Sequence, residues 1–143
     1  MDAIKLLTED HDEVRALFDQ FRQAQEAEDM DRMKELQQKI FSELEAHTRI
    51  EEDIFYPAVR EADEDELGDA VAEGVQEHHV VKLLMREIES VSGEETYIAK
   101  MKVLMENVEH HAEEEETEMF PEVRERMGEP RLQELGAELE AAK

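Results

Sequence analysis

The sequence lacks cysteine and tryptophan altogether, and it has only five glycines and three prolines in 143 residues. Without cysteine there are no disulfides, no thiolate metal sites and no cysteine nucleophiles. No apolar run is long enough to span a bilayer, and the first residues do not have the pattern of a signal peptide. We therefore expect a cytoplasmic protein with no membrane partner.

Basic residues are also scarce, because 16 Lys and Arg stand against 41 Asp and Glu and the net charge is −25. An excess of negative charge this large repels phosphates, which excludes nucleic acids and anionic membrane surfaces as partners. Hydrophobic residues still make up 40% of the chain, too many for a disordered acidic tail. The length suits one domain, which we expect to be a monomer.

Along most of the chain, apolar residues recur at intervals of three and four, a spacing typical of amphipathic helices. Four helices of similar length are predicted from the apolar residues within 4–21, 33–55, 71–88 and 98–119. Because the linkers between them are short, we expect an all-α fold, an antiparallel up-down-up-down four-helix bundle. The bundle is expected to occupy 1–125, and the extension 126–143 is expected to form a short C-terminal helix packed on or beside it.

Several residues predict where these helices begin and end. Pro57 is expected to kink or end the second helix, and the fourth helix is expected to run up to Pro121. The acidic residues 63–66 predict either a linker or a helix start. Ser92, followed three residues later by Glu95, resembles a capping box that would begin the fourth helix.

The second and fourth helices share a motif, His-x-x-x-Glu followed by a proline, at a constant offset of 64 residues (111 − 47 = 121 − 57). The aligned residues are His47, Glu51 and Pro57 in the first copy and His111, Glu115 and Pro121 in the second. The first and third helices match more weakly, through a single histidine each, His11 and His78. This repeat predicts two helix-turn-helix halves related by a pseudo-two-fold axis, each with the same set of polar residues.

Six of these residues lie on the apolar faces of their helices, where an ionised carboxylate is costly unless it is paired or binds a metal. They are His11, His47, Glu51, His78, His111 and Glu115. No Lys or Arg falls on the same faces nearby, and His and Glu four residues apart can ligate one centre. Four imidazoles and two carboxylates are too many for one tetrahedral zinc and suit two ions of higher coordination number with bridging carboxylates.

Each of these residues, taken alone, has a simpler interpretation. A single histidine on an apolar face is more often a hydrogen-bonded core residue, and either glutamate could turn toward solvent, but the symmetric repetition favours a metal. His79 and His110 are sequence neighbours of proposed ligands, so they point about 100° away and are expected at the surface or supporting a ligand. Phe55 and Met119, one turn beyond the two glutamates, are expected to line the space beside the metals.

The order of these motifs resembles the hemerythrin-like HHE family of bacteria, in which single His residues alternate with His-x-x-x-Glu, one element per helix. The Phe-Pro ending of that family is matched by Phe55-Tyr56-Pro57 and Phe120-Pro121, and the resemblance covers residues 1 to about 125. It implies a hemerythrin-like bundle with two non-haem iron ions joined by an oxo, hydroxo or water bridge. The four histidines would be terminal ligands, and Glu51 and Glu115 would bridge the irons.

One difference between this chain and the oxygen-carrying hemerythrins is relevant to its function. Animal oxygen-carrying hemerythrins have a histidine four residues before the third-helix ligand, where this chain has Gly74. The resemblance therefore implies reaction with a small ligand (dioxygen, hydrogen peroxide or nitric oxide) rather than simple oxygen carriage. A catalase-like, peroxide-disproportionating di-iron enzyme, or a role in oxidative or nitrosative stress defence, is the first hypothesis. The alternative is a non-catalytic module that binds or senses oxygen or iron.

Overall fold

The structure, a computed structural model, describes all 143 residues and consists of helices without a strand. The elements in chain order are α1 (Ala3–Glu26), α2 (Met30–Ile50), a first π-helical segment (Glu51–Phe55), α3 (Tyr56–Ser90), α4 (Glu94–Glu114), a second π-helical segment (Glu115–Met119), α5 (Phe120–Met127) and α6 (Glu129–Ala142). Four of the helices, α1 to α4, are long, which confirms the predicted all-α class. No helix combines the length and the apolar character needed to cross a membrane.

The chain forms two compact units, which we describe separately. The terminal unit comprises residues 1–57 and 127–143, and the central unit comprises residues 58–126. Each unit contains one single-histidine motif and one complete His-x-x-x-Glu motif with its proline. The division of the chain at residue 125 stays a prediction.

In the terminal unit, α1 and α2 form a helical hairpin with a side-chain cap at each start. The carboxylate of Asp2 accepts the backbone N–H of Lys5 at 2.8 Å, and that of Asp29 accepts the N–H of Arg32 at 3.1 Å. These caps satisfy backbone donors that the first helical turn leaves unpaired. The hairpin buries a stripe of large apolar side chains, which includes Leu7, Phe18, Phe21, Met33, Leu36 and Ile40.

Helix α6 belongs to the same unit and packs on α1 and on the first π-helical segment. Its buried face contains Leu132, Leu135 and Leu139, the residues that predicted it. Between them lies Gly136, where an added Cβ would collide with the backbone oxygen of Met1. A glycine is therefore required for α6 to approach the start of α1 this closely.

In the central unit, α3 contains an internal start at Asp63, whose backbone leaves the helical conformation (φ −166°, ψ 85°). Its carboxylate accepts the N–H of Glu66 at 3.2 Å, as an N-cap does, and also accepts Arg126 Nη1 at 2.7 Å. Of the two alternatives for residues 63–66, the helix start is therefore observed. The predicted capping box is wrong, because Gly93 (φ 98°) is the N-cap of α4 and makes no side-chain cap hydrogen bond.

The two prolines do not end their helices, so the expected end of the fourth helix at Pro121 is wrong. Each proline follows a π-helical segment whose last hydrogen bond spans five residues: the Tyr56 N–H donates to the Glu51 oxygen, and the Phe120 N–H donates to the Glu115 oxygen. A proline lacks an N–H and clashes with the carbonyl four residues back. The wider π turn accommodates both effects, and helical structure continues through Pro57 and Pro121.

Candidate metal centre

The terminal unit brings together the three ligands predicted from its part of the chain. His11 comes from α1, His47 from the last turn of α2, and Glu51 from the first position of the π-helical segment. All three are buried, and their candidate ligand atoms lie within 4.8 Å of one another. The His47 Nε2 atom is 3.1 Å from Glu51 Oε1, and the His11 and His47 rings are 4.8 Å apart between centroids at 61°.

The central unit repeats this arrangement with His78 of α3, His111 of α4 and Glu115 of the second π-helical segment. These side chains are buried as well, and Glu115 is only 2% exposed. His111 Nε2 lies 3.4 Å from Glu115 Oε2, and the two imidazoles are again 4.8 Å apart, at 70°. All six predicted residues are therefore buried, and each unit holds a matching set of two imidazoles and one carboxylate.

Each glutamate of these sets opens a π-helical segment, a feature that sequence reasoning missed. Glu51 and Glu115 are the first residues of the two segments, so the irregularity recurs at the same place in both copies. π-Helical turns are rare, and they occur frequently at functional sites because they shift the direction of side chains. The available signal was the proline six residues after each glutamate, which an uninterrupted α-helix does not tolerate.

A second carboxylate supports the histidine of each His-x-x-x-Glu motif. His47 Nδ1 donates to Asp10 Oδ2 at 3.1 Å, and His111 Nδ1 donates to Glu77 Oε1 at 2.7 Å. A proton held on Nδ1 fixes the tautomer in which Nε2 carries the lone pair that a metal needs. Sequence reasoning missed both carboxylates, although the signal was there: each immediately precedes the single histidine of its half, Asp10 before His11 and Glu77 before His78.

The carboxylate of Asp10 also pairs with Lys143, whose Nζ lies 2.5 Å from Asp10 Oδ1. Burial by itself raises the pKa of Asp10, but the hydrogen bonds from His47 and Lys143 outweigh it and hold that pKa below its ordinary value. Burial lowers the pKa of Lys143, while the Asp10 carboxylate raises it, and the net direction is upward. Asp10 is therefore an anion that two donors hold in place.

A pocket of about 150 Å³ in the central unit reaches the second set of residues. Its lining comprises Ala70, Glu73, Gly74, Glu77, His111, Glu114, Glu115, Glu118 and Met119. Gly74 is buried one turn before His78, in the position where oxygen carriers have a histidine. Met119 lies in the lining, as expected from its spacing, so this pocket gives small molecules a way to His111 and Glu115.

The Hemerythrin HHE cation binding domain matches residues 2–123 of the chain. The chain belongs to this family. The HHE domain binds metal cations, and the buried imidazoles and carboxylates of the two units are among the residues of this member that could hold one. A third, more exposed group is formed by Glu77, His110 and Glu114.

A solved structure supports the hemerythrin-like four-helix fold of this HHE domain. It is that of a hemerythrin HHE cation binding domain-containing protein from Mycobacterium kansasii, 28% identical, with a TM-score of 0.81 over 99% of this chain and 84% of that chain. A curated relative, a DNA nickase from Nostoc sp., is 28% identical over 139 residues. The match covers 94% of this chain but only 37% of the nickase, so the chain spans about a third of that relative.

The donor sets of the HHE domain fit a metal cation. Glu51 and Glu115 are almost fully buried, and a buried carboxylate needs a cation or several hydrogen bonds to offset its lost hydration. The ammonium of Lys143 contacts Asp10 rather than Glu51. Imidazole nitrogens and carboxylate oxygens suit iron or manganese better than soft metals. A metal cation beside these groups would offset the negative charge of the buried carboxylates.

The two remaining histidines of the HHE domain lie outside these sets. His79 and His110 are exposed, in agreement with the expectation that they occupy the surface. His110 Nε2 is 3.2 Å from Glu114 Oε1, an ion-pair distance between two solvent-accessible side chains. The helical register therefore separates each of these histidines from its buried sequence neighbour.

Proposed function

We propose that the chain is a non-haem di-iron protein that reacts with a small neutral oxidant, with hydrogen peroxide as the first candidate. The observation that carries the proposal is the repeated buried set of two imidazoles and one carboxylate, with a second carboxylate on the ligating histidine. The proposed ligands are His11, His47 and Glu51 from the terminal unit and His78, His111 and Glu115 from the central unit.

The number and type of donors favour two ions over one. Four imidazoles and two carboxylates exceed what one tetrahedral zinc takes, and a carboxylate with two oxygens can bridge two ions. If two ions are bound, the four histidines and the two glutamates would be their ligands. A pair of irons, when bound, supplies a two-electron exchange, which balances the conversion of two hydrogen peroxide molecules into two waters and one dioxygen.

The residues of the central pocket select what reaches the centre. Glu73, Glu77, Glu114 and Glu118 all contribute to its lining, so the pocket repels anions. Hydrogen peroxide, dioxygen and nitric oxide are uncharged at neutral pH and are not repelled. A volume of about 150 Å³ admits molecules of the size of hydrogen peroxide, dioxygen or nitric oxide. The charge of the lining therefore favours a small neutral oxidant over an anion.

The test is metal analysis of the purified protein, followed by addition of peroxide while dioxygen and the visible spectrum are recorded. About two irons per chain with catalytic dioxygen evolution supports the enzyme. About two irons with a stable oxygen-dependent spectrum and no turnover selects the binding or sensing module instead. A chain that takes up no iron or manganese contradicts both. The variant His111→Ala, which lacks a buried imidazole of α4, should take up less metal. His110→Ala is its matched control, because it removes an exposed imidazole from the same helix.

DNA nicking, the activity in the name of the Nostoc relative, is not part of this proposal. The matched region is 37% of that relative, and the net charge of this chain is −25. Binding to DNA depends largely on cationic side chains that neutralise phosphates, and this chain has an excess of carboxylates. We propose that its partner is a small molecule and not a nucleic acid.

A further inference from the structure

Lys143 lies two hydrogen bonds away from a proposed metal ligand. Its Nζ contacts Asp10 Oδ1 at 2.5 Å, and the other oxygen of the same carboxylate accepts His47 Nδ1 at 3.1 Å. His47 Nε2 in turn faces Glu51 at 3.1 Å. The lysine, the aspartate and the histidine thus form one continuous chain of contacts that ends at the proposed metal position of the terminal unit.

The packing of α6 on α1 determines where this lysine lies. Gly136 sits against the backbone of residues 1–3, and Lys143, seven residues after Gly136, contacts Asp10, which lies seven to nine residues after that backbone. Seven residues correspond to about 10 Å of helix. The two helices therefore run in the same direction here. The close approach at Gly136 fixes how α6 is aligned along α1, and this alignment places Lys143 next to Asp10.

The central unit supports its histidine differently. Glu77, the counterpart of Asp10, is only half-buried and lines the pocket beside His111. Asp10 is 4% exposed and uses one oxygen for the histidine and the other for the lysine. The carboxylate of the terminal unit is thus held at both oxygens, whereas the carboxylate of the central unit faces a solvent-connected space.

We propose that Lys143 is a positioning residue for the metal ligand His47, acting through Asp10. With its second oxygen held, the Asp10 carboxylate cannot rotate away from His47 Nδ1, and Nε2 stays directed toward the metal position. The inference rests on the proposed metal site. It adds that α6, which contributes no proposed ligand, controls how tightly the terminal unit holds its ion. Supporting partners of this kind affect metal affinity by about 10–100-fold.

The test compares Lys143→Met, which keeps the length of the side chain, with Lys143→Arg, which restores the charge and the donors. Lys39→Met is the matched control, because Lys39 is an exposed lysine of α2 that pairs only loosely with Glu35 at 3.8 Å. Each iron-loaded protein is mixed with a coloured ferrous chelator, and the rate of iron loss is followed. Lys143→Met is expected to release iron roughly 10–100-fold faster than the parent protein, while Lys143→Arg and Lys39→Met release iron at nearly the parent rate.

The melting temperature of the metal-free proteins separates positioning from simple helix anchoring. If Lys143→Met lowers this temperature but leaves iron release at the parent rate, Lys143 only anchors α6 and the proposal is overturned. If the parent protein takes up no iron, the proposed function itself has failed, which is a different result from an unchanged release rate.

Discussion

At the scale of single residues, the carboxylate that supports the proposed histidine ligand differs between the two units. His47 is held by a buried aspartate that also binds a lysine, and His111 is held by a half-buried glutamate at a pocket. The pocket and Gly74 belong to the second half. We therefore expect chemistry with the small oxidant on the side of His111 and firmer metal retention on the side of His47.

Adjacent histidines in α4 are expected to have unequal effects. His111→Ala removes a buried imidazole that lies 3.4 Å from Glu115, so the protein should lose at least one of about two metals per chain. His110→Ala removes an exposed imidazole and should keep both. Metal content after purification, measured on both variants, checks this. If His110→Ala also lost metal, the assignment of ligands in α4 would be wrong.

Substitution at Gly74 tests whether the pocket gives access to the metal. An imidazole in Gly74→His would extend from a pocket-lining position one turn before His78 and occupy the space open to an oxidant. We expect both metals to be retained and peroxide turnover per metal to fall at least about tenfold, since an open position is required for reaction. Overpacking alone would cost roughly 1–3 kcal/mol of stability and leave turnover unchanged, and that outcome would contradict the role of the pocket.

Because the phenol of Tyr97 is buried, we expect the protein to lose stability at alkaline pH. Burial raises the pKa of this phenol to about 12, above its ordinary value of 10. The folded state keeps the proton that the unfolded state releases, so this contribution is fully present below pH 10 and is lost as the pH rises toward 12. The slope is at most about 1.4 kcal/mol per pH unit. In denaturant titrations, Tyr97→Phe should lack this part of the slope; an unchanged slope would assign it to other groups.

At the scale of elements, the two π-helical segments and one close contact between helices shape the site. Both π-helical segments begin at a proposed ligand, and α6 reaches its position through a glycine that lies against the start of α1. A glycine that faces the backbone of another helix leaves no room for a side chain. Substitution there should therefore have a larger effect than substitution of a glycine that faces only mobile side chains.

Two glycine-to-alanine substitutions make this comparison directly. The Cβ of Gly136→Ala would collide with backbone atoms of residues 1–3, which cannot move without shifting α1 or α6. We expect a loss of roughly 1–3 kcal/mol in the free energy of unfolding. The Cβ of Gly68→Ala would meet only the ends of the Glu64 and Arg60 side chains, a solvent-accessible ion pair that can turn away.

The expected result for Gly68→Ala is therefore no loss, and a gain of up to about 1 kcal/mol from helix propensity. Thermal and denaturant unfolding of the two variants under the same conditions decides the comparison. Equal stability of Gly136→Ala and Gly68→Ala would show that α6 does not need its close approach to α1.

At the scale of the whole molecule, the negative net charge of the chain makes its stability depend on bound metal cations. The chain has a net charge of −25, and both buried glutamates add negative charge to its interior. Self-repulsion of this size weakens a compact state, and bound cations offset part of it. Since an unfolded chain does not hold a preformed site, the free energy of metal binding becomes free energy of folding.

Removal of the metal is accordingly expected to lower the melting temperature. At a free metal concentration about a thousand times Kd, binding at one site adds about 4 kcal/mol, which corresponds to roughly 10 °C for a chain of this length. Calorimetry with and without a chelator measures the shift. A variant combining His47→Ala with His111→Ala should melt at the same temperature in both conditions. A parent protein whose melting temperature does not respond to the chelator would contradict the metal site.

The sequence alone determined the helical class and six of the nine buried polar residues, because these depend on periodicity. A spacing of three and four predicts a helix face, and a 64-residue offset between two His-x-x-x-Glu motifs indicates a repeated site. Since burial is set by the same spacing, His47 and His111 could be identified without a structure. The order of the motifs also indicated the HHE family, which the match over residues 2–123 confirms.

Only the tertiary structure decided which groups support these residues and where the helices change course. The contact of Lys143 with Asp10 joins residues 133 positions apart, and no local pattern encodes such a distance. Gly93 replaces the expected cap at Ser92, and helical structure continues through Pro57. Local propensity is worth about 1 kcal/mol per residue or less, whereas packing of several buried side chains is worth more. Tertiary packing therefore decides the helix boundaries and the partners of the ligands.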